Sequence, residues 1–122
     1  MRIFIEFWKA KDAWYDLSKR KREDFVVQIG PAMADLISEG VIVDAWGTND
    51  DSSPYKADYD FFAITKFPSG DLLEKFQEIV ETSGWYNYFE QINVSGQDLG
   101  TETVIGRMID LKKEQVMIEK NI

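Results

Sequence analysis

Two periodicities in the hydrophobic pattern predict the secondary structure of the chain. Segments rich in Ile, Val, Phe and Trp predict strands over residues 2–9, 41–47 and 58–67, each bounded by polar or turn-forming residues. A fourth strand is predicted over residues 101–111, where Thr, Val and Ile follow a glycine-containing loop. Along the sequence, the first predicted strand is thus followed by two strands close together and by a fourth strand near the end of the chain.

Apolar residues at spacings of three and four predict two long helices between these strands. The first begins after Ser18, a typical N-cap residue, and ends at Gly40, with Pro31 inside it. The second lies after the third strand and ends at Gly84. The aromatic residues over 85–89 predict one further short helical turn. Each long helix thus connects one predicted strand to the next.

The resulting order, β-α-β-β-α-β, is that of the ferredoxin-like fold, an α+β fold with an antiparallel sheet and two helices on one face. We predict one such domain over residues 1–122, in which residues 112–122 form a C-terminal arm or a tail. Because the strands are apolar on both sides, the second face of the sheet must also be covered. The residues predicted on that exposed face are Phe4, Trp8, Ile42 and Trp46.

The composition excludes several classes of chemistry. The 122 residues include no His and no Cys. Ser-His-Asp and Cys-His catalysis, His-ligated haem, disulfides and thiolate metal sites are therefore excluded. We expect no cofactor and no resident metal, and any proton transfer must depend on carboxylates.

The charge distribution argues against a nucleic-acid partner. The net charge is -8, and residues 41–104 hold 12 acidic against 3 basic residues. Phosphate contacts need Lys and Arg, so this segment does not suit a nucleic-acid groove. No apolar run approaches the roughly 20 residues of a membrane span. We expect a cytoplasmic protein that binds neither nucleic acid nor membrane.

Four segments of the chain resemble a family of small, uncharacterised bacterial proteins within the dimeric α+β barrel superfamily. These segments are residues 29–33, 45–50, 59–61 and 84–96. In that superfamily two ferredoxin-like chains pack their sheet faces together, so the resemblance implies a homodimer. Better-known relatives include cofactor-independent monooxygenases, lactone isomerases and haem-binding proteins, whose usual His residues are absent here. The resemblance therefore implies a fold and a dimer, without an activity.

Three predicted strands share a short pattern, an acidic residue followed two positions later by an aromatic one. The pairs are Glu6 with Trp8, Asp44 with Trp46, and Asp60 with Phe62. Strand side chains alternate between the two faces, so each acid is predicted on the face of its aromatic partner. The opposite face of the first strand is wholly apolar and suits the helices. We therefore predict that the acids face away from the helices, towards the dimer barrel.

Three uses of these acids remain open from the sequence. A carboxyl with a raised pKa could act as a general acid or base, or several carboxylates could bind Ca²⁺ or Mg²⁺. Alternatively, nearby cations neutralise them: Arg2 is predicted on the face of Glu6, Lys66 on that of Asp60, and Arg107 within reach from the fourth strand.

Two functions follow from these alternatives. In the first, a homodimer binds a small, partly aromatic ligand between the sheet and the partner chain. The ligand contacts would be Trp8, Trp46, Phe62 and Arg107, and the weak catalytic candidates are Glu6, Asp44 and Asp60. In the second, the chain is a non-enzymatic dimeric module that binds another protein.

Overall fold

The computed structural model describes residues 1–113, which form a four-stranded antiparallel sheet with the two long helices packed on one face. The strands are β1 (Arg2–Ala10), β2 (Ile42–Thr48), β3 (Phe61–Phe67) and β4 (Phe89–Gln97), in the spatial order β2-β3-β1-β4. The helices are α1 (Asp12–Tyr15), α2 (Lys19–Ser38), α3 (Gly70–Thr82), α4 (Trp85–Tyr88) and α5 (Thr101–Ile109). This architecture confirms the predicted ferredoxin-like fold. Most of the predicted arm or tail, residues 114–122, lies outside the described residues.

The predicted fourth strand over residues 101–111 is wrong, because most of this segment forms α5. The fourth strand is β4, which pairs with β1 along its whole length. Because residues 90, 91, 93 and 95 are polar, the sequence pattern did not predict a strand at β4. They alternate with Ile92 and Val94, and pairing with β1 decides their conformation. In α5 the apolar residues Val104, Ile105 and Met108 recur at helical spacing.

The long helices begin and end where their capping residues lie. Ser18 and Ser69 each accept a hydrogen bond from the backbone N–H three residues ahead, at 3.2 and 3.3 Å. Gly40, with φ of 104°, follows the end of α2, and Gly84, with φ of 86°, separates α3 from α4. Pro31 lies inside α2 without ending it. No helix within residues 1–113 is both long and apolar enough to cross a membrane.

The main core lies between the sheet and helices α2 and α3. Phe4 of β1 is buried there, with its ring edge-on to those of Phe67 and Phe76 at centroid distances of 6.3 and 5.9 Å. Leu36 of α2 is fully buried in the same cluster. A second, aromatic cluster surrounds Trp8 at the other end of β1. The two clusters lie along the same side of the sheet.

The face of β1 that contacts the helices is the opposite of the predicted one. Phe4, Glu6 and Trp8 are buried against the helices. The outward residues of this strand are Ile3, Ile5 and Phe7, which are half-buried. Alternation along a strand separates two faces but does not say which one meets the helices. Both faces of β1 are largely apolar, and the single acid, taken as a mark of the outer face, lies instead in the interior.

Candidate functional site

Three of the predicted site residues line one cleft between the sheet and helices α2 and α3. They are Glu6, Trp8 and Trp46. Trp8 and Trp46 lie near each other because both strands pair with β3, which places Trp8 opposite Phe61 and Trp46 opposite Ala63. Their ring centroids are 5.0 Å apart. The cleft therefore faces this chain's own helices, and the predicted position between the sheet and a partner is wrong for these residues.

Asp44 does not share a face with Trp46. The register of β2 against β3 shifts between Val43 and Ala45, so a bulge occurs at Asp44. A bulge inserts one residue and reverses the alternation beyond it. Asp44 instead pairs with Lys66 on the outer side of the sheet, at 3.1 Å, whereas the sequence placed Lys66 beside Asp60. This acid is therefore separated from the cleft by the sheet itself.

The other three predicted site residues also lie away from the cleft. Asp60 is exposed just before β3, and its backbone N–H donates to the Trp8 carbonyl oxygen. Phe62 points to the outer side of the sheet, where its ring packs close to Gly47. Arg107 is exposed in the last turn of α5. The three acids therefore do not share a cavity, and within residues 1–113 no cluster of acids could hold a metal ion.

The cleft is small, apolar and partly open to solvent. Its volume is about 80 Å³. The helices supply apolar side chains to its walls, among them Ile29, Met33 and Ile79. Trp46 also lines it while 61% exposed, which marks an opening. Within the described part of the chain, Glu6 is the one ionisable residue among those that line this cleft.

Glu6 is a buried acid without a cationic partner. It is 6% exposed, and no ion pair among residues 1–113 includes it. The amide Nε2 of Gln91 donates a hydrogen bond to its Oε2 at 2.8 Å. Burial raises the pKa of Glu6 to about 7, because the low-dielectric surroundings disfavour the charged form, and the hydrogen bond from Gln91 opposes part of this rise. The carboxyl therefore changes charge near neutral pH.

The orientation of the Gln91 amide is determined by Trp85. The indole Nε1 of Trp85 donates to Gln91 Oε1 at 2.8 Å. An indole nitrogen can only donate, so the amide oxygen must face Trp85 and the amide nitrogen must face Glu6. The second N–H of the same nitrogen donates to Asn93 Oδ1, also at 2.8 Å. Both N–H groups of the Gln91 amide therefore donate hydrogen bonds, one to Glu6 and one to Asn93.

Strand pairing explains why these side chains meet. In the register of β1 against β4, Glu6 lies opposite Asn93 and Trp8 lies opposite Gln91. Directly opposed residues project from the same face of a sheet, and diagonal neighbours remain within reach of long side chains. Gln91 thus reaches Glu6 diagonally across the two strands. Assigning β4 to residues 101–111 hid this contact from the sequence analysis.

The second carboxyl oxygen of Glu6 has no hydrogen-bond partner among residues 1–113 and is not fully buried. Among the described residues, the one hydrogen bond to this carboxyl ends at Oε2. In the same part of the chain, no fully buried side-chain oxygen or nitrogen lacks a partner. Oε1 is therefore not sealed in the interior, and since Glu6 lines the cleft, Oε1 is the atom that a molecule in the cleft would meet.

Two solved structures are similar to this chain. A chlorite dismutase-like protein of solved structure is similar at a TM-score of 0.53 and 15% identity, over 74% of this chain and 39% of that one, so the chain spans about two fifths of its length. A dimeric ferredoxin-like protein of unknown function from Thermobifida fusca has a TM-score of 0.44 and 14% identity, over 78% and 88% of the two chains. At such identity a likeness shows the fold alone, and the first structure, whose TM-score exceeds 0.5, supports the α+β fold described above.

Sequence comparison gives membership of a family without an assigned activity. No protein with a curated description matches the chain. A family model described as a family of unknown function, DUF6616, matches residues 1–111, and the chain belongs to this family.

Proposed function

We propose that the chain forms a homodimer in which each protomer binds a small, partly aromatic molecule in the cleft at Glu6. The observation that carries this proposal is the Glu6 carboxyl, which lines an aromatic cleft, is buried without a cationic partner within residues 1–113, and leaves Oε1 without a hydrogen bond there. A buried ionisable group costs free energy that an apolar residue would not. Such groups occur preferentially at sites of binding or catalysis.

The size of the cleft limits the part of the ligand that enters it. An apolar cavity of about 150 Å³ holds a benzene molecule, and a water molecule needs roughly 10–15 Å³. The present volume of about 80 Å³ lies between these values. It accepts a short polar head group beside Glu6, while an attached ring remains nearer the opening at Trp46.

Three tryptophans suit the aromatic part of such a ligand. Trp8 packs against both Trp46 and Trp85, with ring centroids 5.0 and 5.8 Å away. Aromatic pairs favour offset or edge-on packing and add about 0.5–1.5 kcal/mol beyond the buried area. A flat ring inserted beside the exposed Trp46 would gain contacts of this kind. The apolar walls would reject a molecule that carries several charges.

The homodimer would form through the outer side of the sheet. Ile92 and Val94 of β4 are 49% and 54% exposed there, next to Phe7 and Ile5 of β1, and Ile42 is 47% exposed on β2 at the opposite edge of the sheet. A contiguous apolar sheet face of this kind marks an interaction surface. The charges of Asp44 and Lys66 on the same side cancel in their ion pair, so two copies can meet despite the net charge of -8. A two-fold axis would bury both faces at once.

The binding site can be tested with two probes of similar shape. Phenylacetone carries a ring and a short carbonyl head, whereas propylbenzene lacks the carbonyl. We expect phenylacetone to shift the indole N–H signal of Trp85 in ¹H–¹⁵N NMR more strongly than propylbenzene does, and we expect Trp46→Ala to weaken both interactions. If neither probe moves the Trp85 signal at millimolar concentration, the proposed site is wrong.

One observation favours a second candidate, a non-enzymatic module that binds another protein. The apolar side of α5 is exposed, with Ile105 at 48%, Met108 at 67% and Ile109 at 76%. If this surface carries the function, Met108→Glu abolishes binding of a partner protein, and Glu6→Gln leaves that binding unchanged. If the cleft carries the function, Trp46→Ala weakens phenylacetone binding and Met108→Glu leaves it unchanged.

A further inference from the structure

We propose that Glu6 transfers a proton within this cleft: Oε1 removes a proton from an activated carbon of a small aromatic carbonyl compound and returns it to another atom of the same molecule. This inference rests on the proposed ligand site and names its chemistry, a tautomerisation without a cofactor. Three features of the described residues carry it, namely the locked amide of Gln91, the open Oε1 and the absence of a cation beside the carboxyl.

The hydrogen-bond network determines which oxygen holds the proton. Trp85 turns the Gln91 amide nitrogen towards Glu6, and this nitrogen can only donate. Oε2 therefore accepts a hydrogen bond whether the carboxyl is charged or neutral. A neutral carboxyl accepts best at its carbonyl oxygen, so this bond favours the proton on Oε1, the oxygen without a hydrogen-bond partner among the described residues. The network thus presents a base or an acid at one defined atom.

The proposed reaction balances without any other reactant. The Oε1 atom of the Glu6 carboxylate takes a proton from the carbon next to a carbonyl, and the C–H electron pair forms the C=C bond of an enolate. Oε1, now carrying the proton, returns it to the enolate oxygen to give the enol, or to a carbon in conjugation with it. The carboxylate is regenerated, and neither an oxidant nor a reductant takes part.

The surroundings of the carboxyl limit the substrate class. No cation among residues 1–113 lines the cleft, and the hydroxyl of Ser83, which does line it, already donates to the Val80 carbonyl at 2.6 Å. The cleft therefore offers little stabilisation to an enolate oxygen, and the substrate itself must spread the negative charge. This favours compounds in which the reacting carbon is bonded to an aromatic ring or lies between two carbonyl groups. Such a ring also matches the tryptophans at the opening.

The titration of Glu6 suits this role. A general base works best when its pKa lies near the working pH, and burial raises the pKa of Glu6 to about 7. Tyr86 of α4 is a titratable neighbour: its hydroxyl pKa is raised mainly by burial and further by the Glu6 carboxylate, while a hydrogen bond with Asn93 opposes part of this rise. Tyr86 therefore stays neutral where Glu6 titrates. Of these two groups, Glu6 is the one that gains or loses a proton near neutral pH.

Hydrogen–deuterium exchange of phenylacetone tests the proposal. Its benzylic protons exchange in D₂O only after proton removal, and ¹H NMR follows their loss. General base catalysis contributes roughly 100-fold or more in evolved sites. For this non-native probe we expect wild type to accelerate exchange about tenfold over buffer, with a rate that rises as the Glu6 carboxyl ionises.

Variants separate the chemistry from binding. Glu6→Gln should bind phenylacetone, seen at the Trp85 indole signal, and should lose the acceleration. Glu6→Asp keeps an ionisable carboxyl but shortens the side chain, which moves the carboxyl away from the ligand. This variant should therefore accelerate the exchange less than wild type does. Glu78→Gln makes the same acid-to-amide change at an exposed position of α3, outside the cleft, and should exchange phenylacetone at the wild-type rate.

The outcomes distinguish this proposal from the binding site on which it rests. Binding without accelerated exchange in wild type overturns the proton transfer and leaves the ligand site standing. Exchange that persists in Glu6→Gln also overturns it, because another group would then be the base. Loss of binding in wild type overturns the ligand site and the proton transfer together.

Discussion

Replacing Glu6 by Gln should stabilise the protein at neutral and alkaline pH. The amide has nearly the shape of the carboxyl and can still accept a hydrogen bond from Gln91, but it cannot ionise. In wild type, burial raises the pKa of Glu6 from 4.5 to about 7. One pKa unit corresponds to 1.36 kcal/mol, so ionising the buried carboxyl costs the folded state about 3 kcal/mol.

The sign of the effect follows from proton binding. Between pH 4.5 and about 7 the folded state holds a proton on Glu6 that the unfolded state has lost. The free energy of unfolding of wild type therefore falls as pH rises through this range. Below pH 4.5 both states are protonated and the cost disappears. Relative to wild type, Glu6→Gln should be near neutral at pH 4 and about 3 kcal/mol more stable at pH 8.

Urea denaturation at several pH values measures this difference. Both proteins are compared at one concentration, because the stability of a dimer depends on concentration. The difference between the unfolding free energies of wild type and Glu6→Gln at each pH cancels the contributions of all other titrating groups. Glu78→Gln is a matched control, since it makes the same change at an exposed position of α3 that lies in neither the cleft nor the proposed dimer face. A difference between wild type and Glu6→Gln that does not change from pH 4 to pH 8 would refute the reasoning.

Four further changes test other parts of the account. Gln91→Leu removes the hydrogen bond that lowers the pKa of Glu6, so the ¹³C NMR titration of this carboxyl should move upwards; an unchanged midpoint contradicts the network. Leu36→Ala, at a fully buried position, should cost about 2–5 kcal/mol in urea denaturation. Ser69→Ala removes the N-cap of α3 and should cost about 1 kcal/mol in the same assay. Ile92→Asp should convert the dimer to a monomer in light scattering, and a wild type that is already monomeric contradicts the proposed interface.

Periodicity and capping residues were sufficient to predict most of the fold. The helical stripe after Ser18 and the turn at Gly40 place α2 correctly, because side-chain spacing and capping are local properties. The end of the chain could not be predicted in this way. β4 contains several polar residues whose partners are on β1, and α5 contains the β-branched Val104 and Ile105, so local propensity favours the wrong assignment in both segments.

The candidate site was partly predictable. The pairing of Glu6 with Trp8 follows from alternation along one strand and is independent of which face meets the helices. Asp44 and Trp46 could not be separated from the sequence, because a bulge has no reliable local signature here. Gln91 was missed because its contact with Glu6 lies across two strands, one of which was assigned elsewhere.

The most direct test of the account is the titration of Glu6 itself. Wild type labelled with ¹³C at the δ-carbon of glutamate gives a set of carboxyl signals, and the signal that disappears in Glu6→Gln identifies this residue. The account predicts that its chemical shift changes with a midpoint of about pH 7. A midpoint near 4.5, the ordinary value for glutamate, would contradict a buried carboxyl without a cation and, with it, the proposed site.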